Sequence, residues 1–113
     1  MVLTQFDILR VWNFKYDGRL VRAVTIYDGT VLFVAYDIGK NILGARNPHD
    51  LISSTDRRSK REAIISFDED ANPQRYILVD IEGLRSIVYR SKKSDVDKLD
   101  FIYWAVEKTK GTN

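Results

Sequence analysis

From Trp12 to Tyr16 aromatic and polar residues alternate, with Trp12, Phe14 and Tyr16 separated by Asn13 and Lys15. A period of two predicts a half-buried strand. Asp17-Gly18 interrupts the pattern, which resumes through Leu20, Arg22, Val24 and Ile26. Asp-Gly favours a tight hairpin turn, because such turns need positive φ and glycine adopts it without steric cost. Asp28-Gly29 repeats the signal before Val31-Leu32-Phe33-Val34. The expectation is an antiparallel meander of three strands, the third apolar on both faces and therefore central.

The period changes after Val34. Ile38 and Ile42 lie one helical turn apart, and Gly44 stands where a left-handed C-terminal cap belongs, so a short helix is expected over 35–43. Asn47-Pro48-His49-Asp50 then supplies an N-cap, a proline at the first helical position and a carboxylate in the first turn, predicting a second short helix over 48–54. Two helices separated by Gly44-Ala45-Arg46-Asn47 have the outline of a helix-turn-helix. The spacing fits ordinary packing as well as base reading.

Ala63 to Phe67 and Arg75 to Val79 read as a second hairpin around the turn-rich Asp68-Glu69-Asp70-Ala71-Asn72-Pro73. Asp80 caps a helix with Leu84, Ile87 and Val88 on one face and Arg85 and Arg90 towards its negative end. Ser94 with Asp97 has the shape of a capping box ahead of the stripe Leu99, Ile102, Tyr103 and Val106, which predicts a last helix to about Lys108. The fold class expected is α+β: antiparallel hairpins and a meander packed with short helices, in one domain spanning residues 1–113. Trp12, Phe33, Ile38, Leu84, Ile87, Leu99 and Ile102 are assigned to its core. Tyr36, Tyr89, Phe101 and Trp104 are also read as core rather than as stacking platforms for single strands.

Composition narrows the function classes. At 113 residues and 44% hydrophobic, the chain is one domain's worth and too apolar to stay disordered. It has no cysteine, which excludes disulfides and zinc–thiolate sites and suits a reducing, cytoplasmic location. Residues Met1 to Arg10, with acidic Asp7 and no long apolar run, are expected to be neither a secretory signal nor a membrane span. The single histidine, His49, has no partner for a metal, and no nucleophile elbow, phosphate loop or His-Glu-x-x-His motif is present. Asp68, Glu69 and Asp70 lack the alternating oxygen ligands of an EF-hand and read as a solvated turn. No catalytic residue, metal or cofactor is assigned.

Net charge is only +2, but Arg57-Arg58-Ser59-Lys60-Arg61 and Arg90-Ser91-Lys92-Lys93 concentrate it. Clustered cations displace counterions condensed on DNA and gain affinity from their release. A mobile, solvated loop is the other reading of the first run.

Three ordered blocks resemble the N-terminal domain of the BRO family of phage and large-DNA-virus proteins. Val11 to Ile26 matches loosely. Phe33-Val34-Ala35-Tyr36-Asp37-Ile38, running on to Leu43-Gly44 and Asn47-Pro48, is similar to the family's Phe-Val-Ala-x-Asp-Val start, Leu-Gly helix end and Asn-Pro restart. Gly83-Leu84-Arg85-Ser86-Ile87-Val88-Tyr89-Arg90-Ser91-Lys92, followed by Phe101 and Trp104, is similar to the Gly-Leu-Tyr-Ser-Leu-Ile-Phe-Arg-Ser-Lys signature. The resemblance implies a regulatory module without enzyme activity, associated with DNA binding and antirepressor-type proteins and acting in the cytoplasm of an infected host cell. Family members often continue into a second domain, whose functions do not carry over. The segment after the second helix is often acidic in the family and is basic here, which favours a polyanion.

On this reading duplex DNA is the partner, the alternative being a repressor or host protein. Arg57, Arg58, Lys60 and Arg61 are the first candidates for phosphate contact, and Lys92 and Lys93 the second. Arg90 accompanies them unless it pairs with a nearby carboxylate. Arg46, Asn47 and His49 are candidates for base contact, arginine suiting guanine edges and asparagine adenine edges. Asn47 is also needed as the helix cap.

Overall fold

The computed structural model describes residues 2–110. Asp17 and Gly18 both take positive φ, 50° and 75°, and join β2 (Ile8–Tyr16) to β3 (Arg19–Ile26) in the expected two-residue turn. Gly29, at φ 88°, closes the next turn, where the Thr30 amide donates to Asp28 Oδ1 at 3.0 Å. β4 (Val31–Val34) is buried at every position and lies between β3 and β6 (Gln74–Val79), the central place its apolar run requires.

Two strands differ from the expectation. β1 (Val2–Thr4) was not anticipated, and it pairs in parallel with β5 (Lys60–Ile65), so the sheet is mixed rather than wholly antiparallel. β5 begins at Lys60 instead of Ala63 and ends before Phe67, because Lys60 pairs with Val79 and Ile65 with Gln74. The basic run is therefore not a loop throughout. Arg57–Ser59 is a single 3-10 turn capped by Asp56, whose Oδ1 accepts from the Arg58 amide at 2.9 Å, and Lys60 and Arg61 are strand residues.

The six strands run β1-β5-β6-β4-β3-β2 in one curled sheet. Its two edges, β1 and β2, are joined by the turn Gln5–Asp7. One face packs Val21, Ala23, Val31, Phe33 and Val79 against helices; the other gathers Leu3, Val24, Ile26, Leu32, Val34, Ala63, Ile65 and Leu78, all from strands. Among the described residues no helix contributes to this second cluster, and the sheet buries that face by curling over it.

The helices are α1 (Ala35–Asp37), α2 (Pro48–Ser53), α3 (Ile81–Arg90) and α4 (Lys98–Lys110). α1 runs on into a π turn, Ile38–Ile42, in which the Leu43 amide donates to the Ile38 carbonyl at 3.0 Å. Gly44 then takes φ 65°, as a left-handed cap requires. Asp80 Oδ1 caps α3 by accepting from the Gly83 amide at 2.9 Å. The helices and sheet form one α+β domain with a Cα radius of gyration of 13.0 Å, as expected for about 100 packed residues.

Phe33, Ile38, Leu84, Ile87 and Ile102 are buried and Trp12 is half-buried, donating from Nε1 to Thr25 Oγ1 at 3.0 Å. Leu99 is not core: it is 50% exposed, and Tyr103 of the same stripe is 62% exposed. Asp97 alone caps α4, accepting from the Asp100 amide at 3.0 Å, while Ser94 binds Val96 locally and forms no capping box. The buried face of α4 is Phe101, Ile102 and Ala105 because the aromatic strip on β2 sets its rotation. Phe14 meets Trp104 edge-on at 5.8 Å and Tyr16 meets Phe101 at 5.2 Å, geometries that aromatic pairs prefer. Phe101 and Trp104 thus join the core, whereas Tyr36 and Tyr89 are exposed.

Buried Asp37 accepts from the Arg22 amide and Nε at 2.9 Å each and from Arg22 Nη2 at 2.8 Å. This hydrogen bonding raises the Arg22 guanidinium above its ordinary value, against the burial that lowers it. Removing one partner of a buried ion pair strands the other. Asp37→Ala is expected to lower stability by about 3 kcal/mol, the low end for such pairs since Arg22 reaches some solvent. Urea denaturation checks it, and a decrease below about 1 kcal/mol, the range of exposed pairs, contradicts it.

Candidate nucleic-acid interface

α2 is six residues long, under two turns, and stands between two open grooves. Pro48 and Ile52 are buried beneath it, while His49, Asp50 and Ser53 face outward. The helix therefore packs on one side and leaves the other open to solvent. Its start rests on Gly39 of the π turn, where a Cβ would come within 2.9 Å of Pro48 Cβ.

The first groove, about 540 Å³, is lined by His49, Arg57, Lys60 and Arg61, with Glu62 as its carboxylate. The second, about 450 Å³, is lined by Arg46, Asn47, Arg90, Lys92 and Lys93, with Asp50 as its carboxylate. Two basic runs separated by some thirty residues of chain thus meet at α2, one on each side. Every proposed base-contact residue lines one groove or the other. Asp50 and Glu62 lower the positive potential, a feature composition did not expose.

The ten candidates differ in how free their side chains are. Asn47 makes no side-chain cap on α2, contrary to the capping role expected of it, because its φ of −131° and ψ of 80° leave the cap to its backbone carbonyl. Its amide is available to a ligand. Arg58 lines neither groove, and its Nη2 pairs with Asp56 at 3.1 Å, holding that carboxyl below the usual carboxylate range. Arg90 pairs with no carboxylate among the described residues: Nη2 donates to the Leu51 carbonyl at 2.9 Å and Thr55 Oγ1 at 2.7 Å. Lys60 Nζ donates to the Ile52 and Ser53 carbonyls at 3.2 and 3.4 Å. Among the described residues, the salt bridges involve none of Arg46, Arg57, Arg61, Lys92 or Lys93.

Tyr36 is expected in the core, yet its ring is exposed beside His49, centroids 5.7 Å apart, with Lys40 Nζ 5.5 Å above it. Ala35, Ile38 and Ile42 take the buried side of that segment, so Tyr36 faces away. The spacing that marked Ile38 and Ile42 already carried this signal.

No family model matches the chain, and no curated protein or solved structure matches it. Among the described residues, no group of three or more His, Cys, Asp or Glu is arranged to hold a metal. No helix among them is long and apolar enough to cross a membrane.

The contact between Gly39 and Pro48 gives a direct test of how α2 is seated. Gly39→Ala places a methyl group against proline ring and backbone atoms that cannot swing aside, so overpacking is expected to cost about 1–3 kcal/mol. A denaturation midpoint equal to the parent's would show that α2 yields freely.

Proposed function

We propose that this chain is a regulatory module that binds duplex DNA without catalysis, in the manner its resemblance to the BRO N-terminal domain implies, and acts in the cytoplasm of an infected cell. The observation that carries the reading is the pair of cation-lined grooves on either side of one outward-facing helix. A duplex offers a matching form, with two phosphate strands flanking a groove whose base edges are open to side chains. Arg57 and Arg61 on one side and Lys92 and Lys93 on the other are assigned to phosphate. Arg46, Asn47 and His49, nearest the helix start, are assigned to bases. With a net charge of only +2, affinity rests on the local arrangement rather than on bulk attraction.

Capture of a repressor or host protein is the second reading, and the corner formed by the Gln5–Asp7 turn favours it. Phe6 is 99% exposed there, beside Leu9 at 67% and Tyr27 at 57%. The turn is held in place: Asp7 Oδ2 accepts from the Thr4 amide at 2.8 Å, the Asp7 carbonyl from Tyr27 at 3.0 Å, and Gln5 Oε1 from Ser66 at 2.8 Å. An aromatic ring carried into solvent on a held backbone turn is suited to filling an apolar pocket on another protein.

Mobility-shift titrations across a salt series test the first reading. The logarithm of affinity should fall linearly with the logarithm of salt, and replacing Arg57, Arg61, Lys92 and Lys93 with glutamine should flatten the slope by about 0.9 for each phosphate no longer neutralised. Arg46→Ala should instead reduce discrimination between DNA sites while the slope holds, since base contacts specify and phosphate contacts position. No binding to any duplex at low salt, with folded protein, sinks this reading. For the second, Phe6→Ser should abolish protein association that survives nuclease treatment of an infected-cell lysate. Undiminished association excludes the corner as the contact.

A further inference from the structure

α2 has only six residues, and isolated helices shorter than about 12 residues are marginal in water. Its pose must come from tertiary contacts. Pro48 and Ile52 fix its underside, but the last carbonyls of a helix have no partner within it. In this structure those carbonyls are met by two cations from different elements. Lys60, the first residue of β5, donates to Ile52 and Ser53. Arg90, the last residue of α3, donates to Leu51 and to Thr55 Oγ1, which itself donates back to Leu51 at 2.9 Å. The Nε of Arg90 is spent on the Ser86 carbonyl at 3.2 Å, which fixes the guanidinium plane against α3.

We propose that Lys60 and Arg90, one lining each basic groove, are positioning residues that clamp the C-terminal carbonyls of α2 and so set the spacing of the two grooves, rather than contacts to phosphate. The clamp stands on this geometry; what it serves rests on the DNA-binding reading. Lys60 ties the helix to the sheet and Arg90 ties it to α3, so the cations free to meet a duplex are held at a fixed separation. A guanidinium is suited to the second task because its planar fork reaches a carbonyl and a hydroxyl together while holding a third acceptor, which an ammonium on a flexible stem does not reproduce. A positive group at a helix C-terminus is also electrostatically favourable.

Two readouts separate a clamp from a phosphate contact. The first is amide exchange at Ser54 and Thr55, whose N–H groups donate to the Asp50 and Ile52 carbonyls at 3.3 and 3.1 Å. Lys60→Met with Arg90→Met should speed exchange there by about tenfold, through local opening, while leaving α4 unchanged. Arg90→Lys, which keeps the charge and removes the fork, should still exchange faster than the parent, whereas Arg57→Gln with Arg61→Gln should not. The second is the salt slope on a duplex selected from a random-sequence pool. The clamp variants should lose site discrimination and retain the slope, and the Arg57 and Arg61 variants should do the reverse. A slope reduced by about 1.8 in the double clamp variant marks both residues as phosphate contacts and overturns the proposal. Unchanged exchange overturns it equally. If the double variant fails to fold, Lys60→Gln and Arg90→Lys singly carry both readouts. If the parent binds no duplex, the DNA-binding reading falls and exchange alone decides whether the clamp exists.

Discussion

Asp37 carries its charge into the interior between β3 and the segment that follows β4, and a buried carboxylate is tolerated only where donors replace the water it has given up. Arg22 supplies three of them, from its amide, Nε and Nη2. The guanidinium also lies 5.2 Å from the Tyr76 ring centroid and 5.3 Å from that of Phe67. One ion pair thus ties β3 to α1 and to the β6 side of the sheet. The same seam continues where Asn41 Nδ2 donates to the Leu20 carbonyl and Arg19 Nη1 to the Asn41 carbonyl, each at 2.9 Å. With Asp37 held by Arg22 and Asn41 by Leu20 and Arg19 of the same strand, the backbone between them has a fixed span, and it crosses that span as a π turn. The path of that turn determines where Gly39 meets Pro48, and hence where α2 begins.

The sheet supports this arrangement by burying both of its faces in different ways. Helices cover one, and curvature closes the other. The joining of β1 to β2 through three residues draws the sheet edges together, so the turn between them is left at the surface with Phe6 exposed. On the helical side, the short α2 is shaped by its surroundings more than by its own sequence. Its proline packs on the π turn, and its last carbonyls take Lys60 and Arg90. Five further cations around the grooves, Arg46, Arg57, Arg61, Lys92 and Lys93, stand outside the ion pairs among the described residues. The same residue types thus stand in two different settings, bonded to carbonyls or outside the ion pairs.

Much of the architecture was legible in the chain because it is written in local chemistry. Asp17-Gly18 and Gly29 dictate turns through positive φ, the all-apolar Val31–Val34 run following a turn signal fits a strand buried on both faces, and Asp80 caps the helix after it by a hydrogen bond to the residue three positions on. Gly44 and Pro48 mark a helix end and a helix start for the same kind of reason. Tyr36 faces outward for a local reason as well, since the spacing that buries Ile38 and Ile42 turns it to solvent. Leu99 lies outside the core because several rotations of α4 bury a comparable number of apolar groups, and the aromatic strip on β2 chooses among them.

The sequence by itself determined the fold class, the central strand, most helix limits and the residues that supply positive charge, all of which follow from contacts within a few residues or from composition. Tertiary structure alone decided the parallel pairing of β1 with β5, the meeting of the 57–61 and 90–93 runs at α2, and the engagement of Lys60 and Arg90 by its carbonyls. Those contacts join positions far apart in the chain, or elements whose packing no short stretch specifies. Such pairings leave no periodicity in the chain, and which cation faces solvent and which faces a carbonyl is fixed only when the surrounding elements have packed.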